Sequence, residues 1–257
     1  MANLLIGYSQ IGFLSASELS APSLDTDYSS GYVARNLYGG GRPETVRIAS
    51  AATSSTWSWD HGSAVQPEYL FIARADLIRR GDSAASTWTV DGSASNTFGT
   101  VDTKTGTFNV ADLKGPRSED LITTFTYSTA FQYWRFKVTT TASFKHEYSK
   151  MFLGSWLDLV RDPIYPARFT REATVPMPRA VPWSFSLEWR GITDATVQTL
   201  SDRVLKYRDV NPVILYDTND LVLPNTMKVI HAFITDAEVT PEWPGTNRVQ
   251  MSFLEAI

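Results

Sequence analysis

Trp183-Ser184-Phe185-Ser186-Leu187-Glu188-Trp189-Arg190 sets four large apolar residues against four polar ones in strict alternation. Successive strand side chains point to opposite faces, so this spacing predicts a strand with one aromatic-rich face turned inward. A helix is predicted to follow at once. Thr193 suits its N-cap, Asp194 its positive N-terminus, and Ile192 and Val197 the two positions of a hydrophobic staple. Val197, Leu200 and Val204 then form a stripe at helical spacing. The inward face (Trp183, Phe185, Leu187, Trp189) is expected to be core. The outward face (Ser184, Ser186, Glu188, Arg190) is left for a subunit contact or a channel lining.

The rest of the chain uses the same period of two in shorter pieces. Leu4-Leu5-Ile6 reads as an edge strand, and Gly39-Gly40-Gly41-Arg42-Pro43 as a turn or loop. Thr45 to Ile48 alternates, Tyr69 to Ala75 is a continuous apolar run, and Ser86 to Val90 ends in Asp91-Gly92, a hairpin-type turn signal. Thr107 to Val110, Phe131 to Val138 and Lys150 to Gly154 complete the series. Short strands at this spacing, with no long helical period, predict an antiparallel sandwich or jelly roll. Five of the thirteen prolines then fall between Pro163 and Pro182, which predicts an extended connector, since proline removes a ladder donor. Beyond it, Val213 to Tyr216, Met227 to Thr235 and Arg248 to Leu254 are strand candidates, with Asp217-Thr218-Asn219-Asp220 as a turn and Pro241 to Gly245 as a loop. The expected fold class is mainly β. A β-sandwich spans 1–158, a proline-rich connector 159–182, and a small α+β domain, one helix on an antiparallel sheet, 183–257.

Composition narrows the function. A formal charge of −4 gives no basic face for nucleic acid, and no run approaches the length of a membrane span, so neither partner is implied. Zero cysteines exclude disulfides, zinc–thiolate sites and cysteine nucleophiles together, and fit synthesis in a reducing cytoplasm. The first residues, Met1 to Tyr8, carry no charged n-region and too short an apolar run for a secretory signal.

No catalytic set emerges. Ser9 sits in Gly7-Tyr8-Ser9-Gln10-Ile11-Gly12, one residue too long for a nucleophile elbow, and reads as a loop serine. His61, His146 and His231 are too widely spread for a preformed zinc site, and His231 reads as a core or interface histidine. Asp25 to Gly31 resembles the first half of a calcium loop, but its glycine falls one position late and Asn36 stands where a bidentate Glu is needed. The expectation is no catalytic residue, no metal, no cofactor and no enzyme. Aromatics remain as candidate binders. Trp57, Trp59 and Trp88 present faces suited to sugar rings, with His61 beside the first two, although aromatics in strand-like runs more often belong to a core. Trp243, between prolines in a loop, suits a surface or subunit contact.

Two resemblances follow from these residues. Thr56-Trp57-Ser58-Trp59 ahead of Tyr69 to Ala75, Thr87 to Gly92, Tyr133 to Val138 and Met151 to Gly154 make residues 36–156 similar to a discoidin-like, galactose-binding-like jelly roll. Phe185 to Trp189 before Ile192-Thr193-Asp194, with a final strand Val249 to Phe253, makes 183–257 resemble the small domains of tailed-phage tail proteins. Together they resemble a minor or distal tail protein, with the two parts in the reverse of the usual order. That resemblance implies a structural virion protein made in host cytoplasm, forming a cyclic homo-oligomeric ring with tail-tube, hub or tape-measure neighbours. Ser184, Ser186, Glu188, Arg190 and Trp243 are its candidate assembly surface. The alternative is a carbohydrate-binding module that recognises glycans, host-surface glycans among them, through jelly-roll loops with Trp57, Trp59 and His61 in contact.

Overall fold

The structure, a computed structural model, describes residues 4–11, 17–20, 46–73, 86–108, 121–148, 150–164, 168–171, 183–207, 213–218 and 229–255. The chain is mainly β, as the alternation predicts. Its strands in order are β1 (Leu4–Ile11), β2 (Ser17–Ser20), β3 (Val46–Arg47), β4 (Ala52–Val65), β5 (Tyr69–Ala73), β6 (Thr87–Ser93), β7 (Asp102–Thr107) and β8 (Leu121–Thr124). Then come β9 (Phe131–Phe144), β10 (Glu147–Tyr148), β11 (Lys150–Asp158), β12 (Arg168–Arg171) and β13 (Trp183–Thr193). Helix α1 (Asp194–Arg203), β14 (Val213–Asp217), β15 (Val229–Trp243) and β16 (Thr246–Glu255) follow. The chain divides into two compact units, residues 9–155 and residues 1–8 with 156–257.

The first unit is a β-sandwich. One sheet runs β2-β4-β9-β6-β7, and the other is built from β11-β5-β8, all pairs antiparallel. Strand β9 shows how the sequence sets the layers. Trp134, Phe136 and Val138 are buried while Lys137 and Thr139 are exposed, the period of two written in one strand. Their cross-strand partners Trp57, Trp59, Trp88 and Val90 share the inner face and meet Leu70, Ile72, Leu121, Met151 and Leu153 from the facing sheet. Each such fully buried side chain contributes about 1.5–3 kcal/mol.

Asp91-Gly92, expected to reverse the chain, instead lies inside β6, with Gly92 opposite Trp134 and Asp102. A Cβ on Gly92 would stand 2.4 Å from Phe131 Cδ2 and 3.0 Å from Trp134 Cη2, so the glycine seats two rings rather than making a turn. The reversal comes after Ser93, whose hydroxyl donates to Thr100 O and accepts from Ser95 N.

The second unit orders its strands β12-β13-β16-β15-β14-β1. Here the predicted strand and helix are present. Phe185, Leu187 and Trp189 are buried and Trp183 half-buried. Thr193 caps α1 by accepting from Thr196 N at 3.2 Å, and Ile192 with Leu200 and Val204 is buried in this unit's core, with Val197 packed against it. Buried Asn247 donates to Asp194 Oδ1 at 2.6 Å, fixing the helix start to β16. β15 and β16 form one hairpin closed by Pro244-Gly245, with Gly245 at φ +77°. Proline then glycine at positive φ is a type II turn signature.

Three boundaries differ from expectation. β1 pairs with β14 (Leu5 opposite Tyr216, Ile6 opposite Leu215), so residues 4–8 belong with the C-terminal unit and not with a domain spanning 1–158. Within the expected connector, Leu159 is core and β12 pairs with β13, Phe169 opposite Phe185. The expected loop 241–245 shrinks to two residues, because β15 carries its ladder through Pro241 to Trp243 with a bulge between. Met227 and residues 219–220 lie outside the described residues.

Candidate functional site

The predicted sugar platforms divide on burial. Trp57 (0% exposed) and Trp59 (5%) sit opposite Phe136 and Trp134 on the inner face, where their rings fill the core. As glycan contacts these two are corrected: both rings are buried in the sandwich core, and neither is among the described residues that line a cleft. His61 is half-buried at an irregularity of β4, where Gly62 takes φ +79°. Its Nδ1 lies 3.2 Å from Ser63 Oγ, and Asp60 beside it accepts from Gly62 N and Gln132 Nε2. The local polar groups of this corner are largely spent on one another.

On the outer face of the five-stranded sheet, Asp91 and Arg135 are opposite each other. Arg135 donates from Nε at 2.8 Å and places Nη2 at 2.7 Å, both on Asp91 Oδ2, while Thr103 donates to Oδ1 at 2.6 Å. Phe98, at φ +52°, lies with its ring 4.6 Å from the guanidinium. The pair is closed on itself and holds the 94–101 loop against the sheet.

An open feature lies at the sandwich edge. Among the described residues, β7 ends its sheet and β8 ends the facing set, and between them is a cleft of about 300 Å³. Trp88 and Phe125 supply aromatic surface, their ring centroids 6.4 Å apart at 43°. Gly106 lies over the indole. A Cβ there would be 2.4 Å from Trp88 Cζ2 and 2.9 Å from Nε1. Thr103, Thr105, Thr107, Thr123 and Thr124 complete much of the lining. Phe108 N donates to Ser86 O, so by antiparallel alternation Thr103, Thr105 and Thr107 turn their backbone N–H and C=O groups toward the open edge.

Trp88 is 4% exposed and its Nε1–H has no partner. A buried donor left unsatisfied costs about 1–3 kcal/mol. The indoles of Trp57, Trp59 and Trp189 also lack partners, but of these rings only Trp88 borders the cleft. Lys104 is the one charged residue of the lining among the described residues. Its Nζ bonds Asp102 Oδ1 at 2.9 Å and lies 4.8 Å from the Tyr127 ring centroid. That bond, with Ser128 also donating, holds the Asp102 carboxyl below its ordinary range. Sequence reading reached Trp88 through its aromatic face. It missed Gly106 and the threonines, although Thr103-Lys104-Thr105-Gly106-Thr107 alternates and could have marked an edge strand.

The candidate assembly residues belong to the second unit. Ser184 is exposed, and Ser186 pairs its hydroxyl with Ser252 at 2.8 Å. Arg190 donates to Glu188 at 2.8 Å and lies 3.5 Å from Glu242, while Arg248 reaches Glu188 at 3.6 Å. Trp243, 77% exposed, stands at the hairpin tip.

Ser9 lies in β1, in a strand rather than an elbow. Residues 25–36 and 39–41 lie outside the described residues. His231 is fully buried in β15 beside Phe233, and His146 is fully buried between Ser55 Oγ at 2.8 Å and Thr140 Oγ1 at 3.4 Å. Among the described residues no group of three or more His, Asp or Glu is arranged to hold a metal, and no helix is long and apolar enough to cross a membrane.

No family model and no curated protein matches the chain. Solved structures do show similarity. The C-terminal domain of a chitobiase from Bacteroides fragilis aligns at a TM-score of 0.43 and 11% identity, over 59% of this chain and 99% of that one. A Ruminococcus gnavus GH29 fucosidase in complex with fucose aligns at 0.41 and 13%, over 55% of this chain and 25% of that one. The CBM32 of AlyQ, in complex with 4,5-unsaturated mannuronic acid, aligns at 0.37 and 11%, over 57% of this chain and 96% of that one. The chain thus spans about a quarter of the fucosidase. At these values the similarity assigns the chain to none of them.

Proposed function

We propose that the sandwich unit is a carbohydrate-binding module whose site is the cleft between β7 and β8. The observation that carries this is the cleft's lining: Trp88 and Phe125 give it aromatic surface, with Thr107, Thr123 and Thr124 as polar groups beside them. A pyranose offers an apolar face to aromatic rings and hydroxyls to the surrounding donors and acceptors, which is the complement of this lining. No carboxylate lines the cleft among the described residues, so the proposed role is binding without turnover; glycoside hydrolysis uses a pair of them. Titration of the full chain with a saccharide panel, followed by tryptophan fluorescence and repeated with Trp88→Ala, tests it. Saturable binding lost in the variant is expected. Absence of binding, or binding that Trp88→Ala leaves intact, counts against it.

A second reading keeps the chain in a phage tail tip as a ring-forming virion component contacting tail-tube, hub or tape-measure proteins. What favours it is Trp243, held in solvent at the tip of a long hairpin with exposed Val239 nearby. Tryptophan in such a position is a typical interface anchor. The two readings are compatible, since a tail protein that binds host glycans would serve both.

A further inference from the structure

We infer that the cleft selects uncharged saccharides over acidic ones. This rests on the saccharide reading of the cleft and adds its ligand class. Among the described residues the one charged side chain in the lining is Lys104, and its charge is already answered: its Nζ donates to Asp102 Oδ1 at 2.9 Å, and the Tyr127 ring lies beneath it at 4.8 Å. A ligand carboxylate or sulfate entering here would meet a neutralised cation with the Asp102 carboxylate behind it. It would lose water without gaining an ion pair. A neutral sugar carries no such penalty. The remaining polar groups among the described residues, Thr107, Thr123, Thr124 and the outward backbone amides of β7, are uncharged partners suited to hydroxyls. Gly106 completes the arrangement, because any side chain at that position would overlap the indole edge that bears Nε1.

The test uses disaccharides matched in linkage and stereochemistry: β-1,4-linked glucose against glucuronate, α-1,4-linked galactose against galacturonate, and β-1,4-linked mannose against mannuronate. Calorimetric titration of the intact chain is expected to show at least one neutral member binding more tightly than its uronate by about tenfold or more. Asp102→Asn, which frees the Lys104 ammonium at a partly exposed position, should narrow that gap by strengthening uronate binding. Thermal unfolding confirms that the variant is folded. Equal or tighter uronate binding by the native chain overturns the selectivity and leaves the saccharide reading standing. An unchanged gap in Asp102→Asn overturns the part given to the ion pair. Failure of all six sugars overturns both inferences.

Discussion

Gly106 and Trp88 are in van der Waals register across β7 and β6, so close that a methyl group on residue 106 would stand 2.4 Å from the indole Cζ2. Glycine is here for proximity: β7 lies directly on the ring, and both residues line the cleft.

Gly106→Ala is therefore expected to displace the indole, at about 1–3 kcal/mol of overpacking, and to abolish saccharide binding. Chemical denaturation and titration on the same sample check both. A stable, fully binding variant would remove Gly106 from the site.

Arg135→Met should destabilise the sandwich more than its exposure suggests. Asp91, 7% exposed at its side chain, would keep Thr103 and lose both guanidinium contacts, at about 1–3 kcal/mol. Adding Asp91→Val to that variant should recover part of the loss, since a buried carboxylate without its partner is worse than neither. A double-mutant cycle by urea unfolding measures the coupling.

His146 ties stability to pH. Burial lowers its pKa from 6.5 to about 4. Between those values the unfolded chain binds a proton that the folded chain refuses, so this residue's share of stability is intact above about pH 6.5 and lost as pH falls toward 4. His146→Gln should flatten that limb relative to the native chain. Equal pH dependence of the two unfolding curves would contradict the assignment.

Thr193→Ala removes the hydroxyl that accepts from Thr196 N, at about 1 kcal/mol. Trp243→Ala, by contrast, should leave unfolding unchanged while abolishing any self-association seen by sedimentation. Self-association that survives this substitution would move the contact away from the hairpin tip.

What was legible in the sequence was local. The strand and capped helix from Trp183 to Leu205 follow from alternation, one N-cap and one staple, all within reach of neighbouring residues. The errors are non-local. Asp91-Gly92 carries a turn signal, yet Phe131 and Trp134, far along the chain, need the missing side chain at Gly92. Leu4 to Gly7 read as part of the first domain because their partner β14 lies near the other end of the chain. Trp57, Trp59 and Trp88 look alike as letters. Pairing with β9 places all three on the inner face, and what sets Trp88 apart is the cleft between β7 and β8, strands that no local signal beside it marks.

The most direct measurement is the indole Nε1–H spectrum of isotope-labelled protein during titration with the neutral disaccharides. The account predicts that the Trp88 resonance shifts with saturation while those of Trp57, Trp59 and Trp134, sealed in the sandwich core, stay in place. Shifts centred on the His61 corner, or none at Trp88, would contradict it.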